Sequence, residues 1–190
     1  MEKLERVTKE TKICCSLNIN GTGNSNIKTN IGFFDHMLEA LSKHSGIDIE
    51  ITCDGDTHVD DHHSVEDCGI VIGQLLKKEI FPIQNVERYG NATVVMDEAS
   101  VTCALDLSNR PFLVYEVDIF GKVGSFDVEL AEEFFHAIVM NSGITAHIIQ
   151  NRGRNKHHII EATFKSFAVA LRRALVVNDK LGIPSTKGIL

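Results

Sequence analysis

The sequence predicts an α+β layered fold made of two like halves, each a sheet with helices packed on one face. Three observations carry this. His62-His63-x-x-Glu66 recurs as His157-His158-x-x-Glu161, offset by 95 residues. Ser45-Gly46-Ile47-Asp48-Ile49-Glu50-Ile51 returns as Ser142-Gly143-Ile144-Thr145-Ala146-His147-Ile148 at an offset of 97. Cys15-Ser16-Leu17-Asn18-Ile19-Asn20 returns as Cys103-Ala104-Leu105-Asp106-Leu107-Ser108 at an offset of 88, which sets Glu10 on Glu98. Small changes of offset are what loop insertions produce.

In the first half, alternation over residues 4–9 and 13–19 gives two strands, and Phe33, Met37, Leu38 and Leu41 give helical periodicity over 32–43. Residues 47–53 form the next strand. Asp60 or Asp61 then caps a helix that carries His62, His63 and Glu66 and continues through Ile70, Ile72, Leu75 and Leu76. The second half opens with strands at 91–97, 101–107 and 112–119, followed by helix 126–141, strand 144–150 and helix 156–177.

Composition narrows the function. With 43% hydrophobic and 24% charged residues the chain reads as globular. A net charge of -7 argues against a nucleic-acid partner, which needs a basic surface. No stretch approaches the roughly eighteen apolar residues of a membrane helix, and the opening residues lack a signal peptide's apolar core, so a cytoplasmic protein with no membrane contact is expected. The five cysteines form no CxxC pair, which suggests neither a zinc ribbon nor a disulfide framework.

The repeated pattern carries the chemistry. At about 100° per residue, positions i and i+4 share a helix face, so His62 can chelate with Glu66 and His157 with Glu161. His63 and His158 point about 100° away, toward a second ion or another subunit. One HHxxE would more often be a solvated helix face; two copies, holding four of the nine histidines, favour metal ligation. The duplication adds a pair, because His36 lies ten residues before Gly46 and Glu133 ten before Gly143. Imidazole and carboxylate without thiolate suit manganese, iron or catalytic zinc better than structural zinc. His136, one turn beyond Glu133, could substitute for it. His44 and His147 are open between ligand, outer-shell and packing roles, and His58 in a polar loop is more simply a solvated or outer-shell group. Cations collect at otherwise uncharged turns: Arg88, Arg110, and Lys187 in Pro184-Ser185-Thr186-Lys187-Gly188, with Lys165 one turn beyond Glu161. Arginine forks and a lysine flanked by hydroxyls are good phosphate donors.

Phe34-Asp35-His36-Met37-Leu38, Asp60-Asp61-His62-His63-Ser64-Val65-Glu66-Asp67, Asn155-Lys156-His157-His158-Ile159-Ile160-Glu161-Ala162 and the Pro-Ser-Thr-Lys-Gly tail together resemble the imidazoleglycerol-phosphate dehydratase family. The resemblance runs from Arg6 to the C-terminus. It implies one domain over 1–190 with internal repeats near 1–87 and 88–190, and two mixed four-stranded sheets with helices between them, a ribosomal-S5-domain-2-like fold. It implies a manganese-dependent lyase of histidine biosynthesis that dehydrates D-erythro-imidazoleglycerol phosphate to imidazole-acetol phosphate. Two ions per site would be held by His36, His62, His63, Glu66, His157, His158 and Glu161. The eighth ligand position falls on Glu133, where many relatives carry histidine. Substrate contacts would fall on Glu10, also the candidate acid/base group, and on Arg88, Arg110, Lys165, Ser185, Thr186 and Lys187. A homo-oligomer of 24 chains with sites at subunit interfaces is implied as well. On spacing alone, a two-metal phosphate-ester hydrolase or a metal-buffering protein would share the ligands; phosphate release distinguishes the first, and Arg88, Arg110 and the tail would be superfluous in the second.

Overall fold

The computed structural model describes residues 1–188, so the expected boundary at 190 lies outside the described residues. The first half runs β1 (Glu2–Val7), β2 (Thr11–Asn18), β3 (Ser25–Lys28), α1 (Gly32–Ser45), β4 (Asp48–Gly55) and α2 (His62–Ile80). The second runs β5 (Tyr89–Met96), β6 (Ala99–Asp106), β7 (Phe112–Glu116), a small β8–β9 hairpin (Lys122–Val123, Phe126–Asp127), α3 (Leu130–Ser142), β10 (Thr145–Arg152) and α4 (Lys156–Ala174). The sheets have orders β1-β2-β4-β3 and β5-β6-β10-β7, each with one parallel pair, β3 with β4 and β7 with β10.

The repeat holds at the level of register. Cys15 pairs with Ile51 in the first sheet, and their sequence counterparts Cys103 and Ile148 pair in the second. Gly46 and Gly143 both end their helices in the left-handed conformation, at φ 77° each, where a Cβ would be strained. Inward residues of the sheets, among them Ile13, Leu17, Ile49, Val101, Leu105 and Ile148, are buried beneath the helices. The helices form the middle of the molecule, α1 against α4 and α2 against α3. A chain of aromatic contacts through Phe34, Phe134, Phe135, Phe164 and Phe167 ties α1, α3 and α4 together. Each such ring contributes about 2–3 kcal/mol by burial. On α2, a Cβ at Gly69 would stand 2.9 Å from the Phe134 carbonyl and one at Gly73 2.7 Å from that of Ile138, so α2 and α3 can approach this closely only with glycine there.

Three expectations need correction. Helix 126–141 begins only at Leu130, because Phe126, Val128 and Leu130 bury alternate positions, a strand period, and Phe126 sits in β9 against Phe33 and Phe34. The third strand of the first half, β3, escapes the pattern because its four residues, Ser25-Asn26-Ile27-Lys28, offer one apolar side chain. Strand 112–119 and helix 156–177 end early, at Glu116 and Ala174. Among the described residues no helix is long and apolar enough to cross a membrane.

Candidate metal and anion sites

Each HHxxE motif occupies the first turns of its helix. Asn155 caps α4 by accepting from the His157 and His158 amides at 3.0 and 3.4 Å, fixing the backbone that aims both imidazoles. In α2 the capping contact comes from Asp60, whose carboxylate accepts from the His62 amide at 2.9 Å, whereas Asp61 makes no side-chain cap.

At the start of α4, Glu161 Oε2 lies 3.1 Å from His157 Nε2 and 3.7 Å from His36 Nε2, which α1 brings in from the other half. Ligand atoms of these three residues all fall within 4.8 Å of one another, a group that could hold a metal ion. Burial opposes ionisation of Glu161, yet Lys165, bonded to its other oxygen at 2.6 Å, together with His36 and His157, keeps its carboxyl below the usual range. At the start of α2, His62 Nε2 and Glu66 Oε2 are 3.6 Å apart and about two-fifths exposed. Among the described residues no hydrogen bond or ion pair joins Glu133 to this pair, and His136 is exposed on the next turn.

The second histidine of each motif is held from behind. His63 Nδ1 meets both Asp56 oxygens at 3.1 Å, and Glu10 Oε1 lies 3.8 Å from its Nε2. His158 Nδ1 meets Glu98 Oε2 at 2.8 Å, with Asp97 Oδ2 3.7 Å from its Nε2. These carboxylates raise both imidazole pKa values, His63 through Asp56 and His158 through Glu98. Glu98, bonded to His158 and to the Asn155 and Arg154 amides, is held down at about 2. Burial, then Lys165 and Arg172, push His44 down; His147 and His58 are exposed.

The cationic turns converge elsewhere. Arg88, Arg110, Ser185, Thr186 and Lys187 line a cavity of about 440 Å³ with Tyr89, Ser108 and Asn109. Arg88 is buried and its fork is committed: Nε and Nη2 donate to Asp106 at 2.7 and 3.1 Å, and Nη1 donates to the Pro184 carbonyl at 2.7 Å. The Arg88 amide donates to the Ala174 carbonyl, the last residue of α4, whereas His157 stands in its first turn. At 1.5 Å per residue, His157 stands about 25 Å and Glu161 about 20 Å along α4 from Ala174, the end that meets Arg88. Lys165 belongs to the cluster and not to the cavity.

The sequence assigns no role to Asp56, Glu98 or Asp106. Only Glu98 carried a signal, its place opposite Glu10 in the repeat. Asp56 and Asp106 take their roles from contacts that chain spacing does not encode.

Ligand-type imidazoles aimed outward from helix starts, plus a separate basic cavity, are equipment for an enzyme rather than for a structural module. A family model described as imidazoleglycerol-phosphate dehydratase matches residues 29–171. Proteins of that name from Aliarcobacter butzleri and a Sulfurovum species are 75% and 64% identical over 190 residues, all of this chain and all of each relative. The crystal structure of the Staphylococcus aureus dehydratase superposes with a TM-score of 0.83 at 42% identity, covering 93% of this chain and 98% of that one. The Pyrococcus furiosus enzyme in complex with (S)-C348 gives 0.85 at 37% identity, covering 98% and 100%. The chain belongs to the imidazoleglycerol-phosphate dehydratase family and is a hydro-lyase.

Proposed function

We propose that the protein removes water from D-erythro-imidazoleglycerol phosphate, giving imidazole-acetol phosphate in histidine biosynthesis, as a cytoplasmic, metal-dependent enzyme. The observation that carries the metal dependence is the gathering of His36, His157 and Glu161 across the two halves within 4.8 Å. The donor set suits a borderline or hard divalent ion, with Mn²⁺ the expected one. His63 and His158 fit the same chemistry, because an Nδ1–H donated to a carboxylate leaves Nε2 as a free donor atom. Two ions would be held by His36, His62, His63, Glu66, His157, His158 and Glu161, with Glu133 as the eighth ligand, supplied from a neighbouring chain.

Bound ions supply Lewis acidity, drawing electron density from the imidazole ring and the leaving hydroxyl so that a carbon-bound proton becomes removable. Glu10, exposed and 3.8 Å from His63, is free to move that proton. Arg110 and Lys187 supply the net positive charge for the phosphate, and Ser185 and Thr186 supply hydroxyl donors. Arg88, neutralised by Asp106, contributes by holding the Pro184 carbonyl and thereby the Ser185–Lys187 turn.

His157 and Glu161 stand about 20–25 Å along α4 from the end that meets Arg88, more than so small a substrate spans. That supports a site completed between copies, in a homo-oligomer for which 24 chains is the expected number. Metal content measured with turnover of imidazoleglycerol phosphate tests the reading: a manganese-loaded enzyme that stops when stripped is expected, and full turnover without metal overturns it. Glu133→His with unchanged metal content and rate would remove Glu133 from the ligand set. Phosphate release in place of water loss would favour a hydrolase.

A further inference from the structure

We infer that Glu98 is a positioning residue that fixes the ring tautomer of His158, presenting Nε2 as the bare donor atom; this deepens the metal reading above and rests on it. Glu98 stands in the two-residue turn between β5 and β6, beside Asp97 at φ 47°. That turn is pinned to the start of α4 by one carboxylate oxygen: Oε1 accepts from the Arg154 and Asn155 amides at 3.1 and 2.7 Å. The other oxygen, Oε2, faces His158 Nδ1 at 2.8 Å. A carboxylate only accepts, so Nδ1 must carry the proton, and in the neutral ring Nε2 must then be without one. The two oxygens thus have separate tasks, one holding the helix start and the other setting the ring. Asp56 does the second task alone for His63, and the first-half counterpart Glu10 is released from it to face Nε2. The duplicated halves therefore solve the same orientation problem with different residues.

The division of labour makes Glu98→Gln informative. The two amides need an acceptor, so the glutamine carbonyl replaces Oε1 and its NH₂ group faces His158 Nδ1. A donor there turns the ring into the other tautomer, with the proton on Nε2, while the helix start keeps its bonds. Magic-angle-spinning ¹⁵N spectra of histidine-labelled, metal-free protein at alkaline pH would read the tautomer, with His158→Asn identifying the resonance. Mn²⁺ titration and the thermal midpoint of the same samples complete the test. Expected in Glu98→Gln are a protonated Nε2, Mn²⁺ affinity lower by about 10–100-fold, and a nearly unchanged midpoint. Glu98→Ala should lower both affinity and midpoint. A wild type that takes up no Mn²⁺ overturns this inference together with the metal reading. A wild type that loads, beside a Glu98→Gln protein with unchanged tautomer or affinity, overturns this inference alone.

Discussion

The starts of α2 and α4 carry the same His-His-x-x-Glu pattern in the same fold position, yet they are built to different degrees. Glu161 is buried, takes Lys165 on one oxygen and two imidazoles near the other, and receives His36 from across the molecule. Glu66 is nearly half exposed and, among the described residues, pairs with His62 alone, at 3.6 Å. The anchoring differs too. Asp67, next to Glu66, is buried on Arg6 at 2.9 Å and on the Thr11 hydroxyl, whereas its counterpart is Ala162, and the start of α4 is held instead by the Asn155 cap and by Glu98 on the Arg154 and Asn155 amides. Helical spacing makes half a site; neighbours from other elements decide whether it is completed within the chain.

The contrast ranks substitutions by how much surrounding structure each residue organises. Glu161→Gln should have the largest effect, lowering kcat by about 10³-fold, the equivalent of some 4 kcal/mol of metal-derived stabilisation, with loss of bound metal. Glu66→Gln should also lose metal but leave the thermal midpoint of the metal-free protein in place, because the carboxylate is nearly half exposed and its one ion pair is long, at 3.6 Å. Equal midpoint losses for both would erase the contrast. Next, Asp67→Ala should cost about 2–3 kcal/mol by denaturant unfolding, since it strands Arg6 and the Thr11 hydroxyl, the half-exposed Arg6 keeping the cost below that of a fully buried pair. Asn155→Ala should cost about 1 kcal/mol and Asp60→Ala less, because Asn155 serves two amides and Asp60 one.

The smallest and most specific effect is on pH dependence. His63 and His158 have raised pKa values in the folded, metal-free protein, so their contribution to stability is fully present below the unfolded value and is lost as pH rises through the folded one. Metal uptake runs the opposite way, because each protonated imidazole must give up its proton to ligate. Acidification should therefore weaken Mn²⁺ binding over a range where it stabilises the empty protein, seen by titration and melting on one sample set. Parallel trends would contradict the assignment of these imidazoles.

Much of this was legible in the sequence because the repeat compares the chain with itself. The offsets of 88, 95 and 97 align strands whose register the fold reproduces, and they pick out both HHxxE helices and the His36 and Glu133 positions. What stayed hidden depends on contacts between segments of unrelated spacing. Nothing in the chain says that His36 crosses to α4 rather than serving α2, that Asp106 neutralises Arg88, or that Asp56 turns His63. Strand β3 is invisible in the sequence for want of apolar residues, and the start of α3 is ambiguous there because Phe126 and Val128 fit a helical and an extended pattern equally well.

The central claim is that clusters and cavity of different copies make one working site. Mixed assembly tests it most directly: chains carrying His157→Ala are combined, by unfolding and refolding together, with chains carrying Lys187→Ala, each inactive alone. A shared site predicts recovery of up to about a quarter of the wild-type rate, since half the clusters and half the cavities are intact and pair at random in a symmetric assembly. No recovery in verified mixed oligomers, with wild-type chains refolding to full activity under the same treatment, would place cluster and cavity at work within a single chain and contradict the account.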